Sequence, residues 1–264
     1  MSLNFDYYDG SDVLPKGVFR ISPSQFSKFM DSPHLWYREQ ILGEEGFTGS
    51  TSSVLGTIVH ACAEAYANGS DGSTWSKEIE DYLKTIPFSE VDIDKDEIRK
   101  QYKGMALALI NGYLKDNKPD STEEFIFHNV IPGYVAAGTC DARKGDMVVD
   151  YKTYNSKSKP RAIPMYYKYQ LLIYAWIYTK KNIPINRVRL VYVNRNIDGG
   201  VSEKTGKPLK SYPPEVTVLT ETITKEDIDF IESVLKLLAE TVAKSKEDPS
   251  LTYLLFRDYR LKDK

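Results

Sequence analysis

Through the first half of the chain, apolar residues recur every three or four positions, the spacing that lines one face of an α-helix. In "SPSQFSKFMD", Phe26, Phe29 and Met30 carry that spacing and Ser22 or Ser24 is placed to cap the start. Ser32-Pro33 breaks the run before "HLWYREQIL" resumes it. Leu55, Val59, Cys62 and Tyr66 repeat the period in "SVLGTIVHACAEAYANG", which ends at Asn68-Gly69. "STWSKEIEDYLKTI" and "DKDEIRKQYKGMALALINGYLKD" predict two more helices. The glycine- and serine-rich "GEEGFTGSTSS" reads as a flexible loop, and the acidic "PFSEVDIDKDE" as solvated surface.

Beyond residue 120 the period shortens to two. "EEFIFHNVI", "YVAAGTCDAR" and "DMVVDYKTY" are rich in β-branched and aromatic residues and are separated by turns at Pro132-Gly133 and Lys144-Gly145-Asp146. "IPMYYKYQLLIYAWIYTKK" predicts a long helix and "RVRLVYVNR" a strand. "NIDGGVSEKTGKPLKSYPPE" predicts a mobile hairpin or loop, and "VTVLTETI" the returning strand. A last helix starts at Thr224, with Asp227 three residues on. Helices on both sides of a small mixed sheet imply an α/β or α+β fold. The expected organisation is a polar arm over residues 1–20 and a single domain over 21–264. Within that domain, the helical part is 21–120, the sheet with its helix 121–220, and the C-terminal helix 224–247.

A chain of 264 residues can bury a full core. Its formal net charge of -2 means that a nucleic-acid partner would be held by a local basic patch and a metal ion, not by a generally basic surface. Cys62 and Cys140 are the only cysteines. They are too few for a disulfide framework, a four-cysteine zinc site or an iron–sulfur cluster, which fits a reducing, cytoplasmic setting. No run of about 18 apolar residues exists to span a membrane, and the first residues lack the basic-then-apolar pattern of a signal peptide.

The chemistry concentrates in "CDARKGDMVVDYKTY". Strand alternation puts Val148, Asp150 and Lys152 on one face, and Met147, Val149 and Tyr151 on the other. Asp150 and Lys152 are then roughly 7 Å apart, and the turn brings Asp141 back beside Asp150. Two facing carboxylates repel unless a cation lies between them, and such oxygen-rich pairs suit Mg²⁺ or Mn²⁺. The same residues also allow a plain surface ion pair between Asp141 and Lys152 on an edge strand. His60 and Glu64, four apart, share a helix face, as do Gln170 and Tyr174; either pair could be structural. Lys157, Lys159 and Arg161 could contact phosphates or simply keep a loop soluble.

In their order, G-T-x-x-H, G-x-x-D, D-Y-K-T and Q-x3-Y resemble the RecB-like branch of the PD-(D/E)XK nuclease superfamily, from about Ser22 to Tyr178. "SPSQFSKFMDSPHLWY" is similar to that branch's opening segment. The resemblance implies a restriction-endonuclease-like core that hydrolyses phosphodiester bonds. Asp141, Asp150 and His60 would bind Mg²⁺ or Mn²⁺, together with the Tyr151 carbonyl. Glu64 would act from a second shell or through water. Lys152 would orient or help deprotonate the attacking water and offset phosphate charge, while Gln170 and Tyr174 would position the substrate strand or brace the site. Cys140 replaces the family's proline before Asp141, and Ser32 stands where iron–sulfur members carry a cysteine, so no such cluster is expected.

The resemblance further implies a DNA exonuclease of phage or mobile-element recombination, working beside a single-strand annealing protein and able to form a homo-oligomer. A structure-specific endonuclease, or an inactive nucleic-acid-binding module of the same fold, are the alternatives. Every catalytic position is filled with a competent residue, which speaks against the inactive module. A zinc hydrolase lacks a second histidine at metal spacing, and a carboxylate-pair glycosidase leaves Lys152 without a task.

Overall fold

Prolines and hydroxyl caps set the helix starts. Ser22 accepts a hydrogen bond from the Gln25 amide as α1 (Pro23–Asp31) begins, and Pro33 opens α2 (Pro33–Gln40). Each proline sits in a first turn, where no amide proton is needed. A reciprocal Ser50–Ser53 capping box starts α3 (Thr51–Ala67). α4 (Trp75–Thr85) and α5 (Lys95–Leu109) follow, and α5 widens into a π turn at Ile110–Leu114. This computed structural model describes residues 2–6, 8, 10–44, 49–87, 93–202 and 204–248.

The alternating segments form one mixed sheet from β1 (Phe19–Ile21), β2 (Ser121–Ile131), β3 (Tyr134–Lys144), β4 (Met147–Tyr154), β5 (Arg187–Asn194) and β6 (Val216–Thr222). The strand order is β1-β3-β4-β5-β6, with β2 on the other edge of β3. α6 (Met165–Lys180) crosses from β4 to the parallel β5, and α7 (Lys225–Glu247) closes the described chain behind the Thr224–Asp227 capping box. This is the mixed sheet flanked by helices that the periodicity implies.

Each face of the sheet buries its own hydrophobic cluster. Val148 and Leu190 pack with Phe26, Trp36, Leu171 and Leu235 on the side of α1, α2, α6 and α7. Val149, Tyr151 and Val191 pack with Leu55, Ile79 and Met105 on the side of α3, α4 and α5. β4 is therefore a central strand with both faces covered, which suits its near-continuous apolar run.

The pairing of β3 positions the site. β4 joins it by only three rungs, Ala142 with Val149 to Lys144 with Met147, and β1 joins it only at Tyr134 to Ala136. Between those stretches, one edge of β3 carries no strand. β4 meanwhile stays paired to β5 along its whole length.

Two segments differ from the expectation. Leu3 is buried, the Phe5 ring stacks on Tyr82 at 4.2 Å, and Phe19–Ile21 is a strand, so parts of the expected polar arm pack against the fold, while residues 11–17 are mostly exposed. Isolated apolar residues among polar ones have no periodicity, and only their tertiary partners reveal them. Residues 51–53 of the expected loop form the first turn of α3; residues 45–48 lie outside the described residues, as do 88–92 of the acidic stretch. In the segment after β5, bridges Ile197 with Tyr212 and Val201 with Pro208 join the two arms of a hairpin. Among the described residues, no helix is long and apolar enough to cross a membrane.

Gly138 lies on the open edge, where an added Cβ would come within 2.8 Å of Pro23 Cδ and 3.1 Å of the Tyr174 hydroxyl. Gly138→Ala is expected to cost about 1–3 kcal/mol, seen as a lower melting temperature. Gly56→Ala, whose Cβ would meet Thr153 at an ordinary 3.7 Å, should be neutral or stabilising in the same scan.

Candidate active site

Where β3 and β4 part, side chains replace the missing ladder. The next rung would join Asp141 to Asp150; instead the Tyr151 amide donates to Asp141 Oδ2 at 2.8 Å. Farther along, the Tyr174 hydroxyl donates to the Thr139 carbonyl at 2.6 Å, and Arg20 Nε donates to the Ala137 carbonyl at 3.2 Å. Buried backbone groups need partners, and here three side chains supply them while holding the strands apart.

The strand also changes face at this point. Cys140 packs in the cluster beside α6, yet Ala142, two residues on, packs beside α3. On the neighbouring strand, Glu123 adopts a left-handed φ of +45°. Such a backbone costs a non-glycine residue of order 1 kcal/mol or more and gathers at functional sites. The slip turns Asp141 and Glu123 toward α3.

α3 brings His60 to them. Its Nδ1 lies 3.5 Å from Asp141 Oδ2 and 4.0 Å from Glu123 Oε1, and its Nε2 lies 2.7 Å from the Tyr151 carbonyl. One ligand atom each from His60, Glu123 and Asp141 falls within 4.8 Å of the others. A cavity of about 610 Å³ opens there, walled by α3 from Ser53 to Glu64, by Glu123, and by Phe5 and Tyr8 of the N-terminal segment.

On the other side of β4, Asp150 is only 2% exposed. Its Oδ1 accepts from Lys152 Nζ at 2.7 Å, whereas Oδ2 is buried without a hydrogen-bond partner. An orphaned carboxylate oxygen is costly in a protein interior. His60, Glu123 and Asp141 offer the oxygen and imidazole ligands that suit a divalent ion, and Asp150, outside that trio, is close enough to Asp141 and His60 to feel their charge.

The charges repel one another. Burial pushes the Glu123 carboxyl up to about 9, and Asp141, Glu64 and Asp150 push the same way. Burial also raises Asp150, against the pull of Lys152, and burial alone raises Glu64. Burial would lower Lys152, but Asp150 and Asp141 outweigh it and hold the ammonium above its usual range. These two carboxylates thus favour the charged form of Lys152.

His60 and Glu64 line the cavity, with Asp141 beside His60 and the Tyr151 carbonyl against its Nε2, while Asp150 and Lys152 pair on the other side of β4. Tyr174 is buried, with its hydroxyl donating to Thr139 and hydrogen-bonded to Gln170, so it braces the open edge. Lys157, Lys159 and Arg161 are exposed beyond β4, with Lys159 paired to Glu215 at 2.9 Å. The surface ion pair considered for Asp141 and Lys152 is not formed: β4 is interior, and Lys152 pairs with Asp150. Glu123 is the site residue that sequence reading missed. It opens an ordinary-looking strand, and neither its left-handed backbone nor the partner strand that aims it has a sequence signature.

The family model of the PD-(D/E)XK nuclease superfamily matches residues 20–250. The chain belongs to that superfamily. Among solved structures, this PD-(D/E)XK protein is similar to one from Eubacterium rectale described as a candidate exonuclease. That match has 13% identity and a TM-score of 0.55, and covers 100% of this chain and 92% of the other. It is also similar to an alkaline exonuclease from Laribacter hongkongensis, with 14% identity and a TM-score of 0.34, over 76% of this chain and 95% of that one. At such identities the first likeness speaks for the fold alone, which agrees with the α/β architecture above. No curated protein matches the chain.

With Glu123 raised to about 9, the folded PD-(D/E)XK domain keeps a proton that the unfolded chain releases near the ordinary glutamate value. Stability that is fully present below about pH 4.5 is therefore lost as pH rises toward 9. In chelator, the melting temperature should fall over that window, and Glu123→Gln should flatten the fall. An unchanged slope in the variant would show that Glu123 is not the titrating group.

Proposed function

We propose that the protein is a divalent-metal-dependent deoxyribonuclease, acting as an exonuclease, with its reacting centre where β3 and β4 separate. The observation that carries this reading is the buried, unpartnered Oδ2 of Asp150 beside the charged Lys152. A purely structural ion pair gives no reason to bury a carboxylate oxygen without a partner.

In this reading Asp141, Asp150 and His60 hold Mg²⁺ or Mn²⁺, with the Tyr151 carbonyl next to His60 Nε2 and with Glu123 as a further carboxylate. The ion, when bound, lowers the pKa of a water and polarises the phosphoryl group. Lys152 donates to a phosphate oxygen and offsets the charge that builds as water adds to phosphorus. Glu64, one helical turn from His60 and lining the same cavity, accepts the proton from that water. The bond from phosphorus to the leaving sugar oxygen then breaks, and that oxygen is protonated from solvent. Lys157 and Arg161 contact flanking phosphates. The imidazole ligand makes Mn²⁺ at least as effective as Mg²⁺.

The family itself supports a nuclease hydrolase. DNA as the substrate, action from an end, and a role in recombination or phage DNA processing beside an annealing protein are the finer parts of this proposal. End-labelled linear duplex, single-stranded and closed circular DNA should be digested with each ion. Linear DNA should be cut and circles spared, and Lys152→Ala should lose at least about 100-fold in rate while its melting temperature still rises on adding Mn²⁺. Equal cutting of circles would remove the exonuclease half. Full activity in Lys152→Ala or Asp150→Asn would remove the assignment.

A further inference from the structure

Two exposed aromatic rings border the opening between β3 and β4, on opposite faces of the sheet. Tyr8, 42% exposed, lines the cavity on the α3 side. Tyr166, 49% exposed, stands at the start of α6 next to Met165, which is 55% exposed. Phe230, a further exposed ring among the described residues, lies away on α7.

Tyr166 is built into its position. Its carbonyl accepts from the buried Ser27 hydroxyl at 2.6 Å, tying the first turn of α6 to α1. Its ring leans on Tyr167 with centroids 3.9 Å apart, and Tyr167 in turn meets Tyr192 edge-on at 6.1 Å. Lys152 Nζ sits 5.2 Å from the Tyr167 ring centroid, and Lys152 and Tyr166 are near enough to interact electrostatically. The exposed ring is thus backed by a half-buried aromatic stack and stands next to the cation that faces the reacting phosphate. The loop between β4 and α6 carries the exposed Lys157 and Arg161.

Apolar, aromatic surface beside a cation suits one kind of occupant: the flat face of a base whose phosphate is held by the ammonium. A base inside a duplex has both faces covered by its neighbours and cannot lie on a protein ring.

We propose that Tyr166 is the stacking platform for the base next to the reacting phosphate, so that the strand reaches the site unpaired. This rests on the nuclease reading and adds a positioning residue and a substrate class, single strands and frayed ends. Met165 widens the platform, and Tyr167 holds the ring at its tilt.

The test is binding in Ca²⁺, followed by fluorescence anisotropy. Two labelled strands of equal length are compared, one of thymidylate and one made wholly of abasic nucleotides. The wild-type protein should bind thymidylate about tenfold more tightly than the abasic strand, as stacking of one base on an aromatic ring provides. Tyr166→Ala should erase most of that difference and leave the abasic affinity unchanged, while Tyr166→Phe and Tyr166→Trp should retain it. Equal weakening on both strands by Tyr166→Ala, or no weakening on either, overturns the platform. A wild-type protein that binds and cuts blunt duplex as well as single strand overturns the unpaired entry and leaves the nuclease reading standing. A protein that neither binds nor cuts any strand overturns both.

Discussion

A sheet that stops pairing halfway along a strand is the constraint on which the rest of this structure depends. β3 gives up β4 after Ala142 and takes up β1 only from Ala136 back, and the intervening edge must find other partners. Asp141, Tyr174 and Arg20 provide them from three different elements. Had the hairpin zipped fully, Asp141 and Asp150 would have met as a cross-strand pair, and like charges directly opposite destabilise a sheet. Parting the strands converts that repulsion into a gap with carboxylates on its walls.

The energetics around the gap point one way. Three glutamate and aspartate carboxyls are raised by burial, one ammonium is held charged by its acidic neighbours, and one carboxylate oxygen is left unpartnered. Glu123 adds a left-handed backbone to this local cost. Natural folds keep such expense where chemistry needs it. The two covered faces of the sheet, each with its own apolar cluster, supply the rigidity that holds it there. The buried Tyr174, bonded to the Thr139 carbonyl, belongs to that support.

The arrangement is also asymmetric across the sheet. On the α3 side lie the histidine, Glu64, Glu123 and the cavity roofed by the N-terminal segment; on the α6 side lie Lys152 and an aromatic shelf. Carboxylates crowd the cavity side, and the ammonium and aromatic rings gather on the other. β4 separates the two by simple alternation, with Tyr151 facing one way and Asp150 and Lys152 the other.

Local physics was legible along the chain. The period of apolar residues marked α1 through α7 and β2 through β6, because amphipathic spacing is a property of neighbours in sequence. Asp150 and Lys152 on one face followed from the strand period alone, and the ordered motifs pointed to the nuclease superfamily that the match over residues 20–250 bears out. What neighbours in sequence cannot encode stayed hidden: the packed parts of the N-terminal segment, β1, the slip at Asp141, and Glu123 in the site. Each depends on which distant strand or helix lies alongside, and on whether a polar group finds a partner there. Side-chain direction in a strand is set by local geometry. The place where two strands let go of each other is set by the whole fold.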